Sequence, residues 1–236
     1  MSPSPLVFWL DVDNTLLDND RFSADVSAWI DQSFGVAERE RYWAIYRALR
    51  EQLGYADYLG AVQQFRAGAT AQAELQRLAE FLLEYPFAER LYPHALEAIA
   101  HLATIGPVVI VSDGDMVFQP RKIHRSGLAA AVSGRVLIYV HKQQALADLQ
   151  QRFPAAHYVM VDDKPQILAA MKRSMGAELT SIFVRQGHYA TESASAIIDP
   201  EPDRSIACIG DLRAMSAADF HASAMLATTV AAPELR

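Results

Sequence analysis

Apolar positions along the chain fall into two rhythms. Leu6 to Leu10, Pro107 to Val111, Val136 to Val140, Tyr158 to Val161, Leu179 to Val184 and Ser205 to Ile209 are short, nearly unbroken apolar runs, several of them rich in Val and Ile. Runs of that length without alternation read as strands covered on both faces. Between most of the later runs, stretches such as Gln143 to Phe153 and Pro165 to Met175 place apolar residues three and four apart, the period of an amphipathic helix. The second half of the chain therefore alternates β and α, which predicts an α/β fold built on a mainly parallel sheet with helices on both faces.

Almost a hundred residues separate the first two strands, and they show only the helical rhythm. Ala24 to Phe34, Ala37 to Leu53, Ala71 to Glu84 and His94 to Leu102 fit it, with breaks at Gly35, Gly54, Gly68 and Pro86. The expected division is a core of residues 1–17 and 89–215, an all-helical insert over 18–88, and an Ala-rich tail or packed helix over 216–236. Trp29, Tyr42 and Trp43 read as the core of the insert.

Composition narrows the classes. With 51% hydrophobic and 21% charged residues the chain can bury a sizeable core. Its longest apolar runs fall well short of the roughly 20 residues that cross a bilayer, so no membrane partner is expected. Nothing near the N-terminus resembles a secretory signal, and a single cysteine, Cys208, can form no internal disulfide; both point to a cytoplasmic location. The formal charge of -7 argues against nucleic-acid binding. The densest basic stretch, Arg121-Lys122-Ile123-His124-Arg125, reads as a solvated helix face.

Ligands of open α/β sheets bind beyond the carboxyl ends of the strands, so the residues that follow each run matter most. They are Asp11-Val12-Asp13-Asn14-Thr15, Ser112-Asp113-Gly114-Asp115, His141-Lys142 and Asp162-Asp163-Lys164. Asp11, Asp13, Asp162 and Asp163 would repel one another unless a cation joins them or some are protonated. A set of carboxylates without a His or Cys cluster suits Mg²⁺ better than Zn²⁺. Ser112 and Gly114 can offer a hydroxyl and backbone N–H groups to a phosphate. Lys142 stands at the start of the helix running from Gln143, where a positive charge opposes the helix dipole by about 0.3 to 1 kcal/mol, a poor place for a purely structural lysine.

These segments resemble the haloacid dehalogenase-like hydrolases, in the group dominated by phosphatases. Val7-Phe8-Trp9-Leu10-Asp11-Val12-Asp13-Asn14-Thr15 matches that family's first motif, Val109-Ile110-Val111-Ser112-Asp113-Gly114 the second, Lys142 the third, and Val161-Asp162-Asp163 the fourth, in the family's order. The resemblance implies a Rossmann-like core with a cap inserted after the first strand. It implies that Asp11 is the nucleophile, Asp13 the acid and base, and Thr15 an orienting residue of the nucleophile's loop. Ser112, Asp113, Gly114 and Lys142 would bind the phosphoryl group, and Mg²⁺ would be held by Asp11, the Asp13 carbonyl and the pair Asp162 and Asp163. Many members carry Gly-Asp at the fourth motif, so which member of the pair is the direct ligand stays open, and Lys164 can be a surface residue.

The expected function is Mg²⁺-dependent hydrolysis of a small soluble phosphate ester, such as a sugar phosphate or nucleotide monophosphate, through an aspartyl-phosphate. A phosphotransferase or sugar-phosphate mutase would use the same intermediate, and a non-catalytic Mg²⁺ and phosphate-binding module is the third reading. Dehalogenation in the family proceeds without the second aspartate, which is present here as Asp13. Phosphonate cleavage needs a cap lysine, and no lysine precedes Lys122. Arg21, Arg47, Arg50, Tyr46, Tyr55 and Tyr58 are candidates for the insert's inner face, although each also reads as an exposed helix residue or a packing aromatic. Asp18-Asn19-Asp20 is placed where it can approach the pocket but reads first as a turn and helix N-cap, His94 and His101 read as partly buried residues of one helix face, and Cys208 as a buried strand residue.

Overall fold

The computed structural model describes residues 4–67, 71–192 and 197–221, so Gly68 and the tail beyond residue 221 lie outside the described residues. Six strands, β1 (Val7–Leu10), β2 (Val108–Asp113), β3 (Val136–Tyr139), β4 (Tyr158–Asp162), β5 (Leu179–Val184) and β6 (Arg204–Ile206), form one sheet. Its order is β3-β2-β1-β4-β5-β6 and every pairing is parallel. The expected Rossmann-like α/β architecture is therefore observed.

Strand β1 shows why a continuous apolar run was needed. Phe8 and Leu10 join one hydrophobic cluster, while Val7 and Trp9 join the other on the opposite face, and all four are buried. Alternate side chains of one strand thus serve two cores. The sixth run departs from expectation: β6 ends at Ile206, and Cys208 is exposed at the head of a 3₁₀ turn over Ile209–Ala214, its thiol against Asp211 Oδ1 at 3.3 Å. Main-chain N–H groups of Ala207 and Cys208 donate to the other Asp211 oxygen, and this turn chemistry overrides the short apolar run.

Between β1 and β2 the chain forms α1 (Asn19–Phe34), α2 (Val36–Leu53), α3 (Tyr58–Phe65), α4 (Gln72–Glu84) and α5 (Ala95–Ala103). Helices α1 to α4 pack on one another, with Tyr42 fully buried and Trp29 and Trp43 partly so. The insert is entered and left through one narrow gate. Leu17 and Leu91 form an antiparallel bridge, Asp18 N–H donates to Arg90 O at 2.7 Å, and Tyr92 N–H donates to Leu16 O at 3.0 Å. His94 adopts φ +67° just before α5 and is exposed, so it does not share a helix face with His101, whose Nε2 lies 2.7 Å from Met215 O.

The remaining helices are α6 (Phe118–Arg125), α7 (Leu128–Ala131), α8 (Leu146–Arg152), α9 (Pro165–Met175) and α10 (Gly187–Glu192). Of the expected tail, residues 217–220 form a 3₁₀ turn that places Phe220 edge-on against Phe8, with ring centroids 4.9 Å apart. Among the described residues no helix is long and apolar enough to cross a membrane.

Candidate active site

The order of strands reverses between β1 and β4, and the ends of these neighbours carry the carboxylates. Asp11 follows β1 and its N–H donates to Val161 O at 3.0 Å, while Asp162 closes β4 and Asp163 follows it. All three are buried, and each offers a carboxylate oxygen within 4.8 Å of the others'. Oδ2 of Asp11 and both oxygens of Asp163 have no hydrogen-bond partner in the described structure. Asp162 is better satisfied, because Oδ1 accepts from Lys164 N–H at 2.8 Å and Oδ2 lies 2.6 Å from Lys142 Nζ.

Lys142 is fully buried between Asp11 and Asp162, ion-paired to both and 3.3 Å from Val111 O. Contrary to expectation, Lys142 does not start a helix running from Gln143: it heads a 3₁₀ turn over Lys142–Gln144 and α8 begins only at Leu146, so its position follows from the end of β3, and Asp113 Oδ1 holds its N–H at 2.8 Å. Burial by itself would favour the neutral amine, but Asp11, Asp162 and Asp113 more than offset this and hold the ammonium above its ordinary range. One lysine does not neutralise the cluster. Burial raises Asp11 to about 6 against the pull of Lys142, and burial with the charges of Asp162 and Asp11 raises Asp163 to about 9. Bare, desolvated carboxylate oxygens without a soft ligand fit a hard divalent cation, which would supply the missing charge.

The other residues named from sequence gather at the same edge. Asp13 reaches the cavity wall with its carboxyl held at two points, Lys122 Nζ to Oδ1 at 2.8 Å and Gln119 Nε2 to Oδ2 at 3.2 Å. Gln119 also donates to Ser112 Oγ at 2.9 Å, which links the second strand end to the first. Gly114 lies so close to Gln119 that an added Cβ would stand 2.8 Å from that side chain. Thr15 is fully buried; its carbonyl accepts from Gln186 Nε2 at 3.1 Å and its hydroxyl has no hydrogen-bond partner.

A cavity of about 240 Å³ opens over this edge, lined from the core by Asp13, Asp113, His141 and Lys164 and from the insert by Tyr46, Arg50 and Tyr55. Of the inner-face candidates, those three reach the cavity; Tyr58 is buried among aromatic rings, Arg47 is exposed, and Arg21 pairs with Asp25 on the surface. Contact between insert and core is close. A Cβ at Gly54, which ends α2 with φ +82°, would come within 2.8 Å of the His141 ring. Arg50 donates to the Tyr189 hydroxyl at 2.8 Å, and His188 Nδ1 lies 2.6 Å from Asp20 Oδ1.

Two expectations, for the stretch 121–125 and for Lys164, need correction here, and Asp18-Asn19-Asp20 fills both of the roles considered for it. The stretch 121–125 is a joint with the insert: Arg121 and Arg125 bind Glu84 and the carbonyls that end α4, and Lys122 is 1% exposed. Asp18 does cap α1 through Arg21 N–H at 2.8 Å, yet Asn19 lines the cavity and accepts from Lys122 at 3.0 Å. Lys164 also lines the cavity and faces the carboxylates, where Asp11, Asp163 and Asp162 raise its pKa against the effect of burial. One signal for Lys122 was present in the chain. Phe118, Gln119, Lys122 and Ile123 share the buried face of α6, so the lysine occupies an apolar-period position.

Residues 6–174 match the family of haloacid dehalogenase-like hydrolases. A haloacid dehalogenase-like hydrolase from Burkholderia xenovorans LB400 is 52% identical, with a TM-score of 0.85 over 91% of this chain and 100% of that one. A HAD hydrolase from Bacillus subtilis bound to magnesium shares the fold at 16% identity and a TM-score of 0.59, over 89% of this chain and 97% of that one. So does L-2-haloacid dehalogenase from Xanthobacter autotrophicus, at 17% identity and a TM-score of 0.57 over the same shares. No curated protein matches the chain. With the family match covering most of its length and this geometry at its strand ends, the chain belongs to the haloacid dehalogenase-like hydrolases.

Proposed function

We propose that the chain is a Mg²⁺-dependent phosphomonoesterase that works through an aspartyl-phosphate on Asp11. The observation that carries this reading is Asp13, a second carboxyl two residues from Asp11 that is fixed at the cavity wall. An ester's leaving oxygen needs a proton and a halide does not, so a positioned second carboxyl supports ester cleavage over carbon–halogen cleavage.

Asp11 attacks phosphorus, the ester P–O bond breaks toward its oxygen, and Asp13 gives that oxygen its proton. The products are an alcohol and the aspartyl-phosphate. Water then attacks phosphorus and passes a proton to the Asp13 carboxylate, releasing orthophosphate and restoring Asp11. Ser112, the backbone at Asp113 and Gly114, and the Lys142 ammonium hold the transferring group. Asp11, Asp163 and the Asp13 carbonyl would hold Mg²⁺, with Asp163 favoured over Asp162 because both its oxygens are unengaged. Bound there, the ion would supply positive charge to the carboxylates and the phosphoryl oxygens. Thr15 steadies the nucleophile's loop. A cavity of about 240 Å³ with several cationic and hydroxyl-bearing walls supports a small, soluble phosphate ester as substrate.

The test is hydrolysis of an aryl phosphate with Mg²⁺, with EDTA, and by Asp11→Asn, followed by a panel of small phosphate esters. Turnover that requires both metal and Asp11 supports the reading. Absence of turnover on every ester with Mg²⁺ bound would overturn it, and transfer to an added sugar in preference to water would make the protein a phosphotransferase.

A further inference from the structure

Lys122 is a buried charge outside the four strand-end segments. Its ammonium is enclosed by the rings of Phe22, Tyr58, Phe87 and Phe118, with centroids 5.6, 5.8, 5.9 and 5.7 Å away. Two oxygens accept from it, Asp13 Oδ1 at 2.8 Å and Asn19 Oδ1 at 3.0 Å. Aromatic faces return part of the solvation that burial removes, but a methionine would fill the same space with no charge to desolvate. Asp13 has no comparable need of the pair for stability, because 22% of its side chain is exposed and water can reach it. The contact therefore does more for the placement of Asp13 than for the fold.

We infer that Lys122 is a positioning residue: it fixes the Asp13 carboxyl at the cavity wall and ties that alignment to the insert through Asn19, the first residue of α1. The inference rests on the phosphomonoesterase reading. Without Lys122 only the 3.2 Å contact from Gln119 would hold the carboxyl, which could then turn away from the leaving oxygen. Asn19 heads a helix of the insert, so the seat of the lysine is shared between α6 and the insert.

Leaving-group dependence tests this directly. An alkyl phosphate needs its leaving oxygen protonated, whereas 2,4-dinitrophenyl phosphate expels a stable phenolate without that help. Lys122→Met and Lys122→Gln are each compared with Asp13→Asn and the parent on both esters. The expected result for Lys122→Met is a loss in kcat/KM, which reports transfer to Asp11 and not the later attack of water that also uses Asp13, on the order of 100-fold for the alkyl ester and less than about threefold for the dinitrophenyl ester, with Tm equal to or above the parent. Lys122→Gln, which keeps a donor, should lose less. Equal losses on both esters, no loss on either, or failure of both variants to fold would overturn the inference. If Asp13→Asn shows the contrast and the Lys122 variants do not, the role of Asp13 stands and that of Lys122 falls. If Asp13→Asn shows no contrast, the proton transfer itself is wrong, and the inference falls with it.

Discussion

The ends of β1 and β4 and the buried face of α6 both hold buried charge, and they do so by opposite means. At the strand ends the charges arrive as neighbours in sequence, and the carboxylates of Asp11, Asp162 and Asp163 outnumber the two lysines that face them, Lys142 and Lys164, with several oxygens left unpartnered. At α6 every cation is answered: Lys122 by Asp13 and Asn19, Arg121 and Arg125 by Glu84 and the end of α4. Unanswered buried charge marks where something from outside the chain belongs, and answered charge marks where the chain positions its own parts.

The contrast breaks most sharply at Asp11. Asp11→Asn should lower kcat on an aryl phosphate on the order of 10⁴-fold while leaving the fold intact, and turnover near the parent's rate would show that the strand-end cluster is not the reacting centre. Next comes Lys142→Met, which removes the cation ion-paired to both Asp11 and Asp162. Urea denaturation of metal-free protein should show a loss of about 3 kcal/mol, because two buried carboxylates are left to repel.

Metal linkage sharpens the comparison further. Asp163 is raised to about 9 and Asp11 to about 6 from 3.8, so the cation-free fold binds protons more tightly than the unfolded chain does. Its stability should fall as pH rises from about 4 to about 9. Mg²⁺ must displace those protons, so saturating Mg²⁺ should raise Tm more at pH 8 than at pH 5, as thermal scans with and without EDTA would show. Smaller effects lie on the answered side. Arg50→Ala loses the contact with Tyr189 and should raise KM by roughly two- to fivefold with kcat nearly unchanged, on the scale of a single hydrogen bond. Smallest of all, Cys208→Ser should shift stability by no more than about 0.5 kcal/mol, and Cys208 should react with a thiol reagent in the native protein.

This division also explains what could be read from the sequence. Asp11, Asp13, Ser112, Lys142, Asp162 and Asp163 were legible because each lies within a few residues of an apolar run, and a parallel sheet delivers all such positions to one edge. Lys122, Gln119 and the Arg50–Tyr189 contact depend on elements 106 to 139 residues apart in sequence, where local periodicity carries no pairing information. Cys208 was misread for a related reason. A four-residue apolar run cannot announce that Asp211 will bend the chain out of the sheet. Asp162 and Asp163 are equivalent as letters, and only the observed engagement of Asp162 by Lys142 and the Lys164 N–H distinguishes them.

The gate at Leu17 and Leu91 carries a consequence for how such a chain can be rebuilt. Because departing and returning strands are clasped to each other before the helices begin, the core meets the same two adjacent ends whatever hangs beyond them. Closure entropy is settled at the clasp and grows only slowly with the length outside it. The sheet thus offers a socket: a different folded segment whose ends meet at one strand spacing could be grafted there without reworking a residue of β1 or β2.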